Sequence, residues 1–211
     1  MQEIFPSIFL VRPERAAPNT QFPLLIRRPG GNILFATKDD ISPFLNELQK
    51  LGGVSHMFLG DRHHAVPRTA ANAKQLKAVL AASDIEAKAL KPKGVHVELQ
   101  LPHERQQFAA DLEIIPTPGH TPGAFSYLWT SERGKRFLFI GDTLVPIDGS
   151  WEFYVIKPRR AMFLTTVNLL AKLEFDVILS NSFAAAPKAW FEVDAAARKT
   201  MFADLRKRLK E

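Results

Sequence analysis

Short apolar runs broken by Gly, Pro, Asn and Asp alternate with longer stretches whose apolar residues recur at helical spacing. The short runs read as strands and the longer ones as amphipathic helices. Strands are predicted at 8–11, 22–27 and 32–37. Pro29-Gly30-Gly31-Asn32 between the last two is a turn signal, so these strands pair as a hairpin. Residues 39–51 read as a helix, with Ser42 placed to cap it and Pro43 in its first turn. Phe44, Leu45, Leu48 and Leu51 form its buried stripe, and Gly52-Gly53 stops it. A short buried strand follows at 54–59. Residues 68–82 read as a second helix with Ala71, Leu76, Val79 and Leu80 inward.

Beyond that point strands are predicted at 95–101, 112–115, 125–129, 136–140 and 151–155, with short connections. A helix over 158–173 carries Phe163, Val167, Leu170 and Leu173 on one face. A last strand covers 176–180, and an amphipathic helix closes the chain. This order does not suit a doubly wound parallel sheet. It suits two mixed sheets packed face to face with helices outside, although periodicity by itself gives only a mixed α and β chain. With 211 residues, no repeat and no long linker, residues 1–211 are expected to form a single domain.

Composition narrows the chemistry. Hydrophobic residues at 46% and charged residues at 24% are those of an ordinary soluble globular protein. No apolar run approaches the ~20 residues of a membrane span. The start has no basic region before an apolar stretch, so no secretory signal is expected and a cytoplasmic location is. Cysteine is absent, which excludes a disulfide framework and a thiolate metal site. Any metal must use His, Asp, Glu or water, a donor set that suits Zn, Fe or Mn. The net charge of +6 sits partly in Arg198-Lys199, Arg206-Lys207-Arg208 and Lys210. Ala195, Met201, Ala203, Leu205 and Leu209 give that tail a helical stripe, so its cations read as a solvated face. No nucleic-acid motif or aromatic stacking cluster accompanies them.

Two motifs stand at strand ends. Thr117-Pro118-Gly119-His120-Thr121-Pro122-Gly123 follows the run Leu112 to Ile115, and Ile140-Gly141-Asp142-Thr143 ends the run from Arg136. A His and an Asp thus leave rigid elements, which is how a chain brings ligands to one point. Two further strand ends are candidates: Gly60-Asp61-Arg62-His63-His64-Ala65-Val66 and Ser180-Asn181-Ser182-Phe183. Taken singly, each of these is as easily a cap or a turn as a ligand loop.

Taken in this order, they resemble the metal-binding motifs of the metallo-β-lactamase-fold superfamily, the His120 and Asp142 stretches being the most specific. The resemblance implies an α+β fold, a four-layer αββα sandwich of two mixed β-sheets with outer helices. It also aligns the family pattern His-x-His-x-Asp-His with Asp61, His63, Ala65 and Val66. Ala70 falls where the family often has a small residue, and the last family His falls at about Ser182. The implied ligands are therefore Asp61, His63, His120 and Asp142 for one divalent ion, Zn or Fe. Ala65, Val66 and Ser182 offer no strong ligand to a second.

The activity so implied is metal-activated water attacking an ester, thioester, amide or lactone. It is expected to be weak, because the residue that orients the water in relatives maps to Ala65. Two other outcomes stay open. One is a catalytically inactive member serving as a binding or scaffold module. The other is a single iron ion acting on oxygen or a thiol. His64 would replace a lost ligand only if the loop were shifted by a residue. His56, His96 and His103 have no readable pattern. Trp151, Phe153 and Tyr154 line either a pocket or the core, and Arg159-Arg160 meet either an anionic substrate or solvent. The substrate and the oligomeric state are not legible.

Overall fold

The computed structural model describes residues 1–15, 17, 20–185 and 188–210. The chain divides into two compact units, Met1–His103 and Glu104–Glu211. No helix among the described residues is long and apolar enough to cross a membrane.

The first unit is built on a seven-stranded mixed sheet. Its strands lie in sequence order: β1 (Gln2–Phe5), β2 (Ile8–Leu10), β3 (Leu24–Ile26), β4 (Ile33–Phe35), β5 (His56–Phe58), β6 (Val79–Ser83) and β7 (Leu99–Leu101). β1 to β4 pair antiparallel, and β4 to β7 pair parallel. Parallel neighbours need crossovers, and helices supply them. These are α1 (Leu45–Lys50) after a single 3-10 turn at Ser42–Phe44, α2 (Pro67–Leu76) and α3 (Asp84–Leu90). Leu25, Leu34, Leu48, Met57, Ala73 and Leu80 are among the residues of the unit's core.

Three expectations are corrected here. The helix expected over 68–82 ends at Leu76. Lys77 turns left-handed (φ 55°), Ala78 N–H closes on Ala73 O at 2.9 Å, and Val79–Ser83 is a strand between β5 and β7. Val79-Leu80-Ala81-Ala82 lies in a parallel sheet and is almost wholly buried, so it shows no alternation that would mark it as a strand. α3 follows at once, capped by Ser83, whose Oγ accepts from Glu86 N–H at 3.1 Å. The helix expected over 39–51 is shorter, and Asp40 rather than Ser42 organises its start. Asp40 Oδ1 accepts from Ser42 N–H at 3.0 Å and from Ser42 Oγ–H at 2.7 Å.

The second unit carries a six-stranded mixed sheet. Its spatial order is β15 (Trp190–Glu192), β14 (Val177–Leu179), β11 (Arg136–Phe139), β10 (Phe125–Thr130), β9 (Leu112–Pro116) and β8 (Gln106–Ala109). Only β11 and β14 pair parallel, and α4 (Arg160–Leu170) makes that crossover. A separate hairpin joins β12 (Val145–Ile147) to β13 (Ser150–Glu152). β13 is shorter than the strand expected at 151–155, and a 3-10 turn at Lys157–Arg159 precedes α4, with Pro158 inside it.

α5 (Ala195–Lys210) packs with α4 over one core of Phe163, Val167, Leu170, Phe202, Leu205 and Leu209. The buried stripe of α5 is therefore Phe202, Leu205 and Leu209, with Ala195 and Ala203 exposed. Its cations are not all solvated. Arg208 pairs with Glu152 and Asp204, Arg206 Nε donates to Asn168 Oδ1, and Arg198 donates to Phe175 O.

Candidate metal centre

Asp61 leaves the end of β5 and caps the single turn Arg62–His64. Its Oδ1 accepts from His63 N–H at 2.6 Å, and only 1% of the side chain is exposed. His63 Nδ1 and His64 Nδ1 each lie 3.6 Å from the same oxygen. The two imidazoles differ in surroundings, since half of the His63 side chain is exposed and His64 is fully buried. The turn is clamped from α3. Glu86, itself buried, accepts from the backbone N–H of Arg62 and from Arg62 Nη2, both at 3.0 Å, and from Arg62 Nε. This bidentate pairing raises the Arg62 pKa, chiefly through the side-chain hydrogen bond. Downstream, buried Thr69 accepts from Val66 N–H and reaches the carbonyls of Thr37 and His64, tying the start of α2 to the end of β4.

Ala65 belongs to the apolar core of the first unit, 4% exposed. Ala65 is thus a packing position that offers no ligand atom.

In the second unit His120 sits in the loop between β9 and β10. Thr117 N–H to Ala124 O and Gly119 N–H to Thr121 O, both 2.9 Å, close the loop. Thr166 of α4 donates to Pro118 O at 2.6 Å. Gly119 has φ 146°, and a Cβ there would lie 2.4 Å from the Phe163 ring, so the motif's glycine is demanded by both backbone and packing. His120 Nδ1 is 2.7 Å from Tyr154 O. A carbonyl only accepts, so Nδ1 carries the proton and Nε2 keeps its lone pair in the neutral ring. Nε2 lies 3.8 Å from Asp142 Oδ2. Arg159 Nη1 donates to His120 O at 3.0 Å, a second tie between the loop and the residues before α4.

Asp142 follows β11 through Gly141, whose positive φ (58°) turns the chain. Ser180 Oγ–H donates to Gly141 O at 2.8 Å, joining this loop to the end of β14. Ser182 accepts from Ala184 N–H at 3.4 Å and so caps the turn Phe183–Ala185.

Asp61 and His63 are therefore neighbours in the first unit, as are His120 and Asp142 in the second. Each of the four offers one ligand atom to a group that could hold a metal ion. His64, His56, His96 and His103 are outside this group. Trp151 packs edge-on against Phe191 and Phe153 against Phe163, so both serve the core, while Tyr154 is 55% exposed. The Tyr154 carbonyl and the Arg62–Glu86 clamp have no trace in the motifs, and Arg159, expected to meet a substrate or solvent, donates instead to His120 O. A backbone carbonyl has no sequence signature, and Glu86 is remote from Arg62 in sequence.

No family model matches the chain, and no curated protein does. Solved structures match over nearly its whole length. A metallo-β-lactamase from Cronobacter sakazakii with a HARLDQ motif is similar at TM-score 0.71 and 19% identity, covering 98% of this chain and 91% of its own. A β-lactamase from Chitinophaga pinensis is similar at TM-score 0.68 and 18% identity, covering 97% and 92%. The metallo-β-lactamase MIM-1 from Novosphingobium pentaromativorans is similar at TM-score 0.62 and 19% identity, covering 90% and 84%. At these identities the likeness is one of fold. The chain has the metallo-β-lactamase fold, an α+β sandwich of two mixed sheets with helices.

Proposed function

We propose that residues 1–211 act as one domain and hold a single divalent ion, Zn or Fe, through Asp61, His63, His120 and Asp142. The protein is then a hydrolase-like member of the metallo-β-lactamase-fold superfamily, acting on an ester, thioester, amide or lactone. The observation that carries this proposal is the donor set itself, two imidazole nitrogens and two carboxylate oxygens in one group able to hold an ion. Their chemistry fits a divalent cation. The fit is closest at His120, because its Nδ1 proton is committed to Tyr154 O and its Nε2 is left as the basic nitrogen.

A bound ion of this kind lowers the pKa of a coordinated water and supplies a nucleophile near neutral pH. The chain's own residues do the rest. Asp61 braces the His63 backbone, Tyr154 O holds the His120 tautomer, and the Arg62–Glu86 clamp keeps the first pair in place. No carboxylate stands at Ala65 to accept a proton, and positioned proton transfer typically contributes ~10²–10⁴-fold. Hydrolysis of generic esters, thioesters, lactones and β-lactams is therefore expected to be weak.

A second reading, a binding module without catalysis, is favoured by one observation. Ala65 is built into the apolar core and the Ser182 hydroxyl caps a turn, so neither position is held open for a second ion. Elemental analysis of protein purified without a metal-affinity tag separates the two. One equivalent of Zn or Fe, lost in His120→Ala, is the expected result. Two stoichiometric ions would overturn the single-ion assignment. No ion after refolding with added Zn or Fe would leave the binding module.

A further inference from the structure

Four large apolar side chains are exposed among the described residues, and all four belong to the second unit. They are Tyr154 at 55%, Ile156 at 58%, Met162 at 44% and Phe183 at 41%. Singly exposed apolar residues need no explanation, but their concentration does. Three fall in the short segment 154–162, which is fastened to the His120 loop twice, by Tyr154 O on Nδ1 and by Arg159 on His120 O. The fourth, Phe183, directly follows Ser182 at the end of β14.

Cations are interleaved with these side chains. Lys157, Arg159 and Arg160 lie between Ile156 and Met162, and no Asp or Glu occurs from Phe153 to Leu173. The bordering acids are engaged elsewhere, Glu152 by Arg208 and Glu174 by Arg136. Among the described residues, Lys157 and Arg160 make no ion pair. A surface that offers exposed apolar area and uncompensated positive charge together complements a ligand with the opposite arrangement.

We propose that the segment 154–162 recognises the substrate, and that the substrate is an anionic amphiphile. That is an extended acyl or aryl body carrying a carboxylate or phosphate. The apolar body lies on Tyr154, Ile156 and Met162, and the anionic group meets Lys157 and Arg160. The attachment of the segment to His120 favours a substrate over a lipid surface, because recognition is then joined to a ligand of the candidate centre. What is done to the amphiphile rests on the hydrolase reading. Its capture does not require the ion.

The test is calorimetric titration of the full chain, metal-free and zinc-supplemented, with decanoate, decyl phosphate, decyltrimethylammonium and acetate, all kept monomeric. The two anionic amphiphiles are expected to bind the metal-free protein, and the cationic amphiphile and acetate are not. A preference between decanoate and decyl phosphate identifies the anionic group. The pair Lys157→Glu with Arg160→Glu is expected to weaken binding by about tenfold or more. Tyr154→Ser with Ile156→Ser should do likewise while leaving the Tyr154 carbonyl on His120.

Affinity unmoved by both pairs, or equal affinity for decyltrimethylammonium, would overturn the proposal. So would decanoate binding that needs zinc and disappears in His120→Ala, since the carboxylate would then sit on the ion. Adsorption to anionic phosphatidylserine vesicles with no binding of the monomeric probes would also overturn it, in favour of a lipid surface. Binding of the anionic probes by a chain that takes up no zinc supports this recognition and removes the hydrolase reading alone.

Discussion

Gly119 is the residue whose replacement has the most defined consequence. Its φ of 146° is a region L side chains rarely adopt, and an added Cβ meets the fully buried Phe163 ring at 2.4 Å. Gly119→Ala should cost about 2–6 kcal/mol, since backbone strain and overpacking each contribute ~1–3. Urea unfolding measures it, and Gly134→Ala separates the packing part, because Gly134 also has a positive φ (78°) but nothing lies within 4 Å of a Cβ there. A variant at Gly119 that unfolds like the wild type would show that α4 yields easily. The glycine and the histidine after it were legible as a motif. The reason for the glycine was not, because Phe163 belongs to another element. The proton on His120 Nδ1 was likewise invisible, since its acceptor is the backbone of Tyr154.

At the scale of elements, the turn carrying Asp61 and His63 is held by a helix that the hydrophobic pattern did not reveal. Glu86 on α3 takes three hydrogen bonds from Arg62 while 1% exposed. Removing one partner of a buried pair typically costs ~3–5 kcal/mol, and loosening a group that orients a metal ligand costs ~10–100-fold in metal affinity. Glu86→Ala is therefore expected to lose stability and zinc affinity together. Glu86→Gln, which keeps the shape, should retain more of both, as read by urea unfolding and competitive zinc titration. Unchanged zinc affinity in a folded Glu86→Ala chain would make the clamp purely structural. α3 has no separate signature in the sequence for the same reason that the β6 run resembles a helix. Almost wholly buried, the Val79–Ser83 run has no period-2 alternation, so it merged with the helix before it and hid the cap at Ser83.

For the whole molecule, the informative experiment is to return the missing donors. Ala65→Asp, Val66→His and Ser182→His together should raise metal stoichiometry first and hydrolysis second. Ala65 is a core position and Ser182 caps a turn, so the metal-free triple variant should melt below the wild type. An uncompensated buried carboxylate is costly, and an ion that binds only the folded state offsets that cost by mass action. Thermal melts with and without zinc test this, and a variant that zinc does not stabilise would deny a second site at these positions. The sequence by itself determined the chemistry available: no thiolate, a His and an Asp at two strand ends, and no strong ligand at Ala65, Val66 or Ser182. These are properties of single residues and of the turns beside them, which the chain writes locally. Tertiary structure alone decided that Glu86 clamps Arg62, that Tyr154 sets the His120 tautomer, and that Tyr154, Ile156 and Met162 stand exposed near Lys157 and Arg160, which make no ion pair among the described residues. Each of these depends on which distant segments meet or on what covers a side chain. Neither is encoded in any local pattern of polar and apolar residues.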